Sequence, residues 1–153
     1  MQDRSRWDRQ AITEGRDLLE AALAQHRPGR YQIEAAIAAV HSDAPASDAT
    51  DWAQIAALYA TLREVVPSPI AALNHAVAIA EAGSPAAALA LADDVSESLD
   101  DYHLLHVARA EFLARLGRHD DAVAAYDRAL ELVRNDAERA HLQRRRDAVP
   151  PAA

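Results

Sequence analysis

Apolar residues recur along this chain at the three-to-four-residue spacing of helices that bury one side. Trp7, Ile12, Leu18, Leu19 and Leu23 lie on one stripe and predict a first helix from about Ser5 to Gln25, stopped by Pro28-Gly29. Tyr31, Ile33, Ile37 and Val40 predict a second, from about Arg30 to Ser42. The stretch from Asp43 to Thr50, rich in Ala, Ser, Asp and Pro, reads as a loop. Asp51 caps a third helix carrying Trp52, Ile55, Leu58, Tyr59, Leu62 and Val66, ended by Pro67-Ser68-Pro69. A fourth covers about Pro69 to Ala82, before Gly83. Ser84-Pro85 opens a fifth that runs to about Val95. Asp100 or Asp101 caps a sixth, which Gly117 ends. A seventh covers about Asp120 to Val133, and Asn135 caps an eighth that reaches about Val149. No segment has the period-two alternation of a strand. The expectation is an all-α chain of about eight helices in antiparallel hairpins. It forms one domain over residues 1–149, with a disordered tail at 150–153.

The central hairpins, about 69–95 and 101–133, repeat one another. Gly83 and Gly117 stand about 34 positions apart, and Ala76, Ala80, Ala88, Ala90 and Asp93 map in register onto Ala110, Ala114, Ala122, Ala124 and Asp127. That period, with small residues at fixed places, resembles the tetratricopeptide repeat, a pair of antiparallel helices. Tyr126 stands where an aromatic plugs the gap to the next hairpin; Ala92 replaces it one repeat earlier, and Arg134 stands where a helix-ending proline is common. Trp52, Tyr59 and Pro67 suggest the second helix of a preceding, degenerate unit. About three units are needed for a continuous core, so the flanking hairpins are expected to stack as atypical caps on a TPR-like right-handed superhelix.

Half of the 153 residues are hydrophobic, much of that alanine, so the core is expected to rest on close helix approach. The net charge of −8 argues against gripping a phosphate backbone or a basic membrane-surface role. Cysteine is absent, so there are no disulfides or thiolate metal sites. No apolar run approaches the roughly 20 residues of a membrane span. Residues 1–7 lack the apolar core of a secretory signal. A cytoplasmic protein is the default. Every basic residue is arginine, a bias of codon composition.

Four runs go beyond a generic repeat. They are Tyr31 to His41 (YQIEAAIAAVH), Asp51 to Tyr59 (DWAQIAALY), Pro67 to Ala78 (PSPIAALNHAVA) and Tyr102 to His106 (YHLLH). In that order they resemble the C-terminal tetratricopeptide-like extension of a group of bacterial extracytoplasmic-function sigma factors, and Gln2 to Asp8 resembles the stretch entering that extension. The resemblance covers about residues 2–148. The family's polymerase-binding region and its helix-turn-helix promoter-reading region have no counterpart here. The chain therefore looks like the extension alone, part of a longer polypeptide with Met1 added. The resemblance implies a regulatory domain whose partners are the core sigma regions of the same polypeptide, RNA polymerase, or both. It implies no direct DNA or membrane binding by this segment, and no cofactor.

Candidate chemistry is sparse. By the repeat register Asn74, Val77 and Glu81 point into the inner groove, as do Glu111 and Arg115 one repeat on. Asn74, His75, Glu81, Glu111 and Arg115 are the candidate binding residues, because groove Asn and Arg can clamp a peptide backbone or carboxylate. The competing reading makes Asn74 a structural hydrogen-bonder. His103 and His106, at i and i+3, invite a metal, but the favoured reading is packing or capping, since no second ligand motif accompanies them. Arg144, Arg145 and Arg146 read better as a solvated face suited to a helix C-terminus than as a nucleic-acid contact. Trp52 and Tyr59 read as core. No catalytic constellation is arguable, so the expectation is not an enzyme. The alternative to the sigma-factor reading is a free-standing TPR peptide-binding scaffold or a small-ligand sensor.

Overall fold

The computed structural model describes residues 29–151, together with Asp8, residues 10–15 and Asp17. All regular structure among them is helical. The predicted first helix is described only as a helical stretch at 10–15, with Asp17 also helical. Asp8 accepts from the backbone N–H of Gln10 and Ala11, so a cap stands at Asp8, while Ser5, the expected start, lies outside the described residues. Trp7, Leu18, Leu19 and Leu23 lie outside the described residues.

Seven helices follow: α1 Arg30–Asp43, α2 Trp52–Val65, α3 Pro69–Glu81, α4 Pro85–Asp94, α5 His103–Arg115, α6 His119–Leu132 and α7 Asp136–Asp147. Short 3-10 turns, Ser47–Ala49 and Glu97–Leu99, interrupt the two longer connections. Each helix packs on the next, and α3 also packs on α5. The result is the all-α stack of antiparallel hairpins that the hydrophobic pattern predicts, with α7 covering the last one.

The repeat glycines sit in identical chain reversals. Gly83 has φ 100° and Gly117 φ 73°, the left-handed region in which a Cβ is strained. At each site the glycine N–H donates to the carbonyl three residues back, Ala80 or Ala114. The next N–H, of Ser84 or Arg118, reaches five residues back to Ile79 or Leu113. This pair of bonds is the Schellman closure of a helix C-terminus. Asp51 and Asn135 cap α2 and α7 as expected: Asp51 Oδ1 accepts from Gln54 N–H at 2.9 Å, and Asn135 Oδ1 from Ala137 and Glu138 N–H. Neither Asp100 nor Asp101 caps α5. The N-cap is Tyr102, because the 3-10 turn shifts the start of the helix, and Asp100 instead holds Arg128 at 3.0 Å. Where a proline was missing after α6, the Arg139 guanidinium closes that helix by donating to the carbonyls of Leu130 and Val133.

Two apolar clusters form the core. One joins α1, α2 and α3 through Ile33, Ile37, Ile55, Leu62, Ala71 and Ala78. The other runs from α3 to α7 through Leu73, Ala76, Leu105, Phe112, Tyr126 and Leu142 among others. Helix α3 belongs to both, with Ala71, Ala72, Leu73, Ala76, Ala78 and Ala80 all buried. Alanines sit where helices touch: Ala76, Ala88, Ala110 and Ala122 are each 0% exposed. Ala90 and Ala124, although in repeat register, are exposed, so no helix contact requires their small size. Tyr126 is buried in one cluster with Leu142 of α7, the plugging role its position predicts. Trp52 and Tyr59 pack against the first cluster from partly buried positions, and Trp52 meets the His41 ring edge-on at 5.2 Å. Tyr31, placed with the core by its spacing, is 78% exposed and stacks with Arg30.

His75 lies between α3 and α2, where the Arg63 guanidinium donates to its Nδ1 at 3.2 Å. Burial first, and the Arg63 charge second, push this imidazole below its ordinary value of 6.5. A depressed histidine contributes stability that is fully present above the unfolded value and is lost as pH falls through the folded one. Urea denaturation should therefore show the wild type losing more stability than His75→Gln as pH drops from about 7 to about 5. Parallel curves would remove His75 from the pH response. Ala110→Leu should cost about 1–3 kcal/mol by overpacking, and Gly117→Ala about 1 kcal/mol by backbone strain alone. An unchanged denaturation midpoint for either would contradict the packing or turn described.

Candidate functional site

The odd-numbered helices α3, α5 and α7 run parallel, and the α3/α5 contact leaves a cleft of about 310 Å³ along them. From α3 it takes Leu73, Asn74, Val77 and Glu81, and from α5 Leu104, Val107, Glu111 and Arg115. These are i, i+3/i+4, i+7 stripes, so each helix turns one continuous face to the cleft. The floor is apolar and the C-terminal half of the rim is charged. Arg115 pairs with Glu81 and also donates to the Ala80 carbonyl at 3.1 Å. Arg145 of α7 pairs with Glu111 at 2.6 Å. Both pairs join residues one repeat period apart, so the same helical position carries opposite charges in successive hairpins.

A second cleft, of about 370 Å³, lies between α1, α2 and α3 and is lined by Arg30, Glu34, Tyr59, Ser68, Ile70 and Asn74 among others. Arg30 and Glu34 form an ion pair at 2.8 Å along α1. Burial raises the Tyr59 phenol above its usual value, and a hydrogen bond with Asn74 opposes that shift. Asn74 is thus both a structural hydrogen-bonder and an exposed wall shared by the two clefts.

Four of the five sequence-predicted residues, Asn74, Glu81, Glu111 and Arg115, meet in the first cleft. His75 is the exception: it lines neither cleft and turns to Arg63, because one position along a helix rotates a side chain by about 100°. Leu104, Val107 and Arg145 were missed by residue-type reasoning. Their register could have found them, since they repeat the positions of Ile70, Leu73 and Glu111 one period on.

The two α5 histidines diverge. His103 Nε2 bonds Glu138 of α7 at 2.8 Å. His106 is buried and donates from Nε2 to the Asp100 carbonyl at 2.7 Å, pinning the turn before α5. Both pack or brace, and no group of three His, Cys, Asp or Glu residues among the described ones could hold a metal ion. In the arginine run, Arg145 reaches α5 and Arg146 reaches Asp127 of α6 at 2.7 Å, so α7 is clamped on two sides. Asp127 is held below the usual carboxylate range by the hydrogen bond from Arg146. Its repeat mate Asp93 is bound in the same way by Arg109, at 2.9 Å.

No helix among the described residues is long and apolar enough to cross a membrane. No family model matches the chain, and no solved structure matches it. An uncharacterised protein of Rhizobium meliloti (strain 1021) is 42% identical over 153 residues, covering 99% of this chain and 36% of that protein. The chain thus spans about a third of the length of the relative it matches.

The rim pairs are partly exposed, so each should be worth at most about 1 kcal/mol. A double-mutant cycle on Glu111→Ala and Arg145→Ala, read by urea denaturation, should give a coupling of about 0.2–1 kcal/mol. A coupling of zero would mean that the pair does not join α7 to α5 in solution.

Proposed function

We propose that this chain is the regulatory interaction domain of a longer bacterial sigma factor, acting on transcription initiation in the cytoplasm. It would contact the core sigma regions of its own polypeptide, RNA polymerase, or both, through the clefts along α3 and α5. The observation that carries this reading is the ordered set of runs between Tyr31 and His106. Three of these fall on α1, α2 and α3, and the fourth opens α5, so they build the walls of both clefts. The relative's greater length is in keeping with a segment that works as part of a larger chain. The mixed lining supports peptide recognition rather than chemistry: an apolar floor supplies contact area, and Asn74 and the rim arginines supply orientation.

A second reading, a peptide scaffold or small-ligand sensor acting alone, is favoured by the size of the α1–α3 cleft, which lies within the ligand-pocket range of about 300–1,000 Å³. In-vitro transcription with the full natural polypeptide, with and without this segment, tests the first reading. A change in output on deletion is expected. Equal output from both would sink it.

A further inference from the structure

Of the helices α1 to α7, the last is held least by apolar contact. Leu142 is its one buried residue, where α1 and α2 bury two each, α6 four, and α3 and α5 six each. Seven of its twelve residues are charged. Val149, just past its end, packs only partly against the cluster. The rest of the attachment is polar. Arg145 pairs with Glu111 of α5, Arg146 with Asp127 of α6, and Glu138 with His103 of α5. Arg139 donates to the Leu130 and Val133 carbonyls where α6 ends. The three pairs are all partly exposed, so dissolved salt competes with them. A twelve-residue helix is marginal by itself in water, so α7 melts when it leaves the stack.

What α7 covers has the form of a socket. Leu142 enters the cluster that holds Phe112 of α5, Tyr126 and Ala129 of α6, and Val133. Glu111 on the α5 side and Asp127 on the α6 side both take their ion-pair partners from α7. Those partners, Arg145 and Arg146, lie three and four positions beyond Leu142, so all three side chains share one helix face. One hairpin earlier the same arrangement is locked. There Asp93 and Glu81 are paired by Arg109 and Arg115 of α5, a helix that six buried residues also retain. The socket at the end of the stack is filled instead by a helix that one buried side chain and a set of exposed charges keep in place.

We propose that α7 is a displaceable end helix and that its socket is a docking site for a basic amphipathic helix of a partner. That partner helix presents a bulky apolar side chain followed by arginines three and four positions on. α7 is the occupant in the isolated chain and sets the pattern that a competitor must match. A helix tethered by a short linker competes at an effective concentration in the millimolar range, so a partner within the same polypeptide meets it on equal terms. This rests on the interaction-domain reading above and adds to it the surface that is gripped and the chemistry of what grips it.

The test uses the whole 153-residue chain and a labelled peptide with the sequence of residues 135–149. Native-state hydrogen exchange should show the α7 amides opening while those of α3 and α5 stay protected. Opening should be about three- to tenfold more frequent in the double variant Arg145→Ala with Arg146→Ala. Raising NaCl from about 0.05 to about 0.5 M should act in the same direction on the wild type, and much less on the variant. In fluorescence anisotropy the peptide should bind the double variant at least about threefold tighter than the wild type, because the tethered competitor is weakened. The same peptide carrying Leu142→Ser should bind neither chain. Circular dichroism checks that the variant is folded. Amides of α7 that exchange only together with those of α5 overturn the proposal, since α7 is then an integral part of the fold. Opening of α7 without peptide binding, or binding that ignores the peptide's leucine, overturns it too. None of these results touches the interaction-domain reading, which falls when deleting the segment leaves transcription unchanged.

Discussion

The structure depends on helices approaching closely through alanine. α3 packs against α2, α4 and α5 at once, and large side chains on all those faces would hold its neighbours apart. Six of its thirteen residues are buried, five of them alanine. Such contacts gain little apolar area per residue but let backbones come near enough for dense packing. The larger side chains, Ile55, Leu105, Phe112 and Tyr126, then fill the spaces between pairs. A helix apolar on nearly every face is stable only when surrounded, so α3 forms part of the fold rather than preceding it.

Polar groups set the geometry that small residues leave free. Close packing by alanine tolerates sliding, because methyl groups interlock weakly. Here the sliding is resisted by groups that bridge one repeat to the next: Asp93 with Arg109 and Asp127 with Arg146 on one side, Glu81 with Arg115 and Glu111 with Arg145 on the other. Each exposed pair is weak alone. Together they fix the register of α3, α5 and α7 on both edges. The charged half of the cleft is consequently self-satisfied, and Asn74 and Leu104 stand exposed in the half toward the helix N-termini.

The helices were legible because apolar spacing, Gly83, Gly117, Asp51 and Asn135 act through local geometry that no neighbour can override. The cleft was legible in part: Glu81, Glu111 and Arg115 follow from the register, since a period that repeats in sequence repeats in space. His75 was misplaced because adjacency in sequence is not adjacency on a helix face. The α5 start was misplaced because a 3-10 turn, invisible to a count of capping residues, spends three positions before the helix begins.

The sequence by itself determined an all-helical chain, its reversals and its repeat, because each depends on residues within a few positions of one another. Only the tertiary structure decided that Arg145 belongs to the cleft and that His103 and His106 part company. Those facts depend on how separate helices rotate and slide against each other. That arrangement is set by the combined packing of both clusters, which no local stretch of sequence contains.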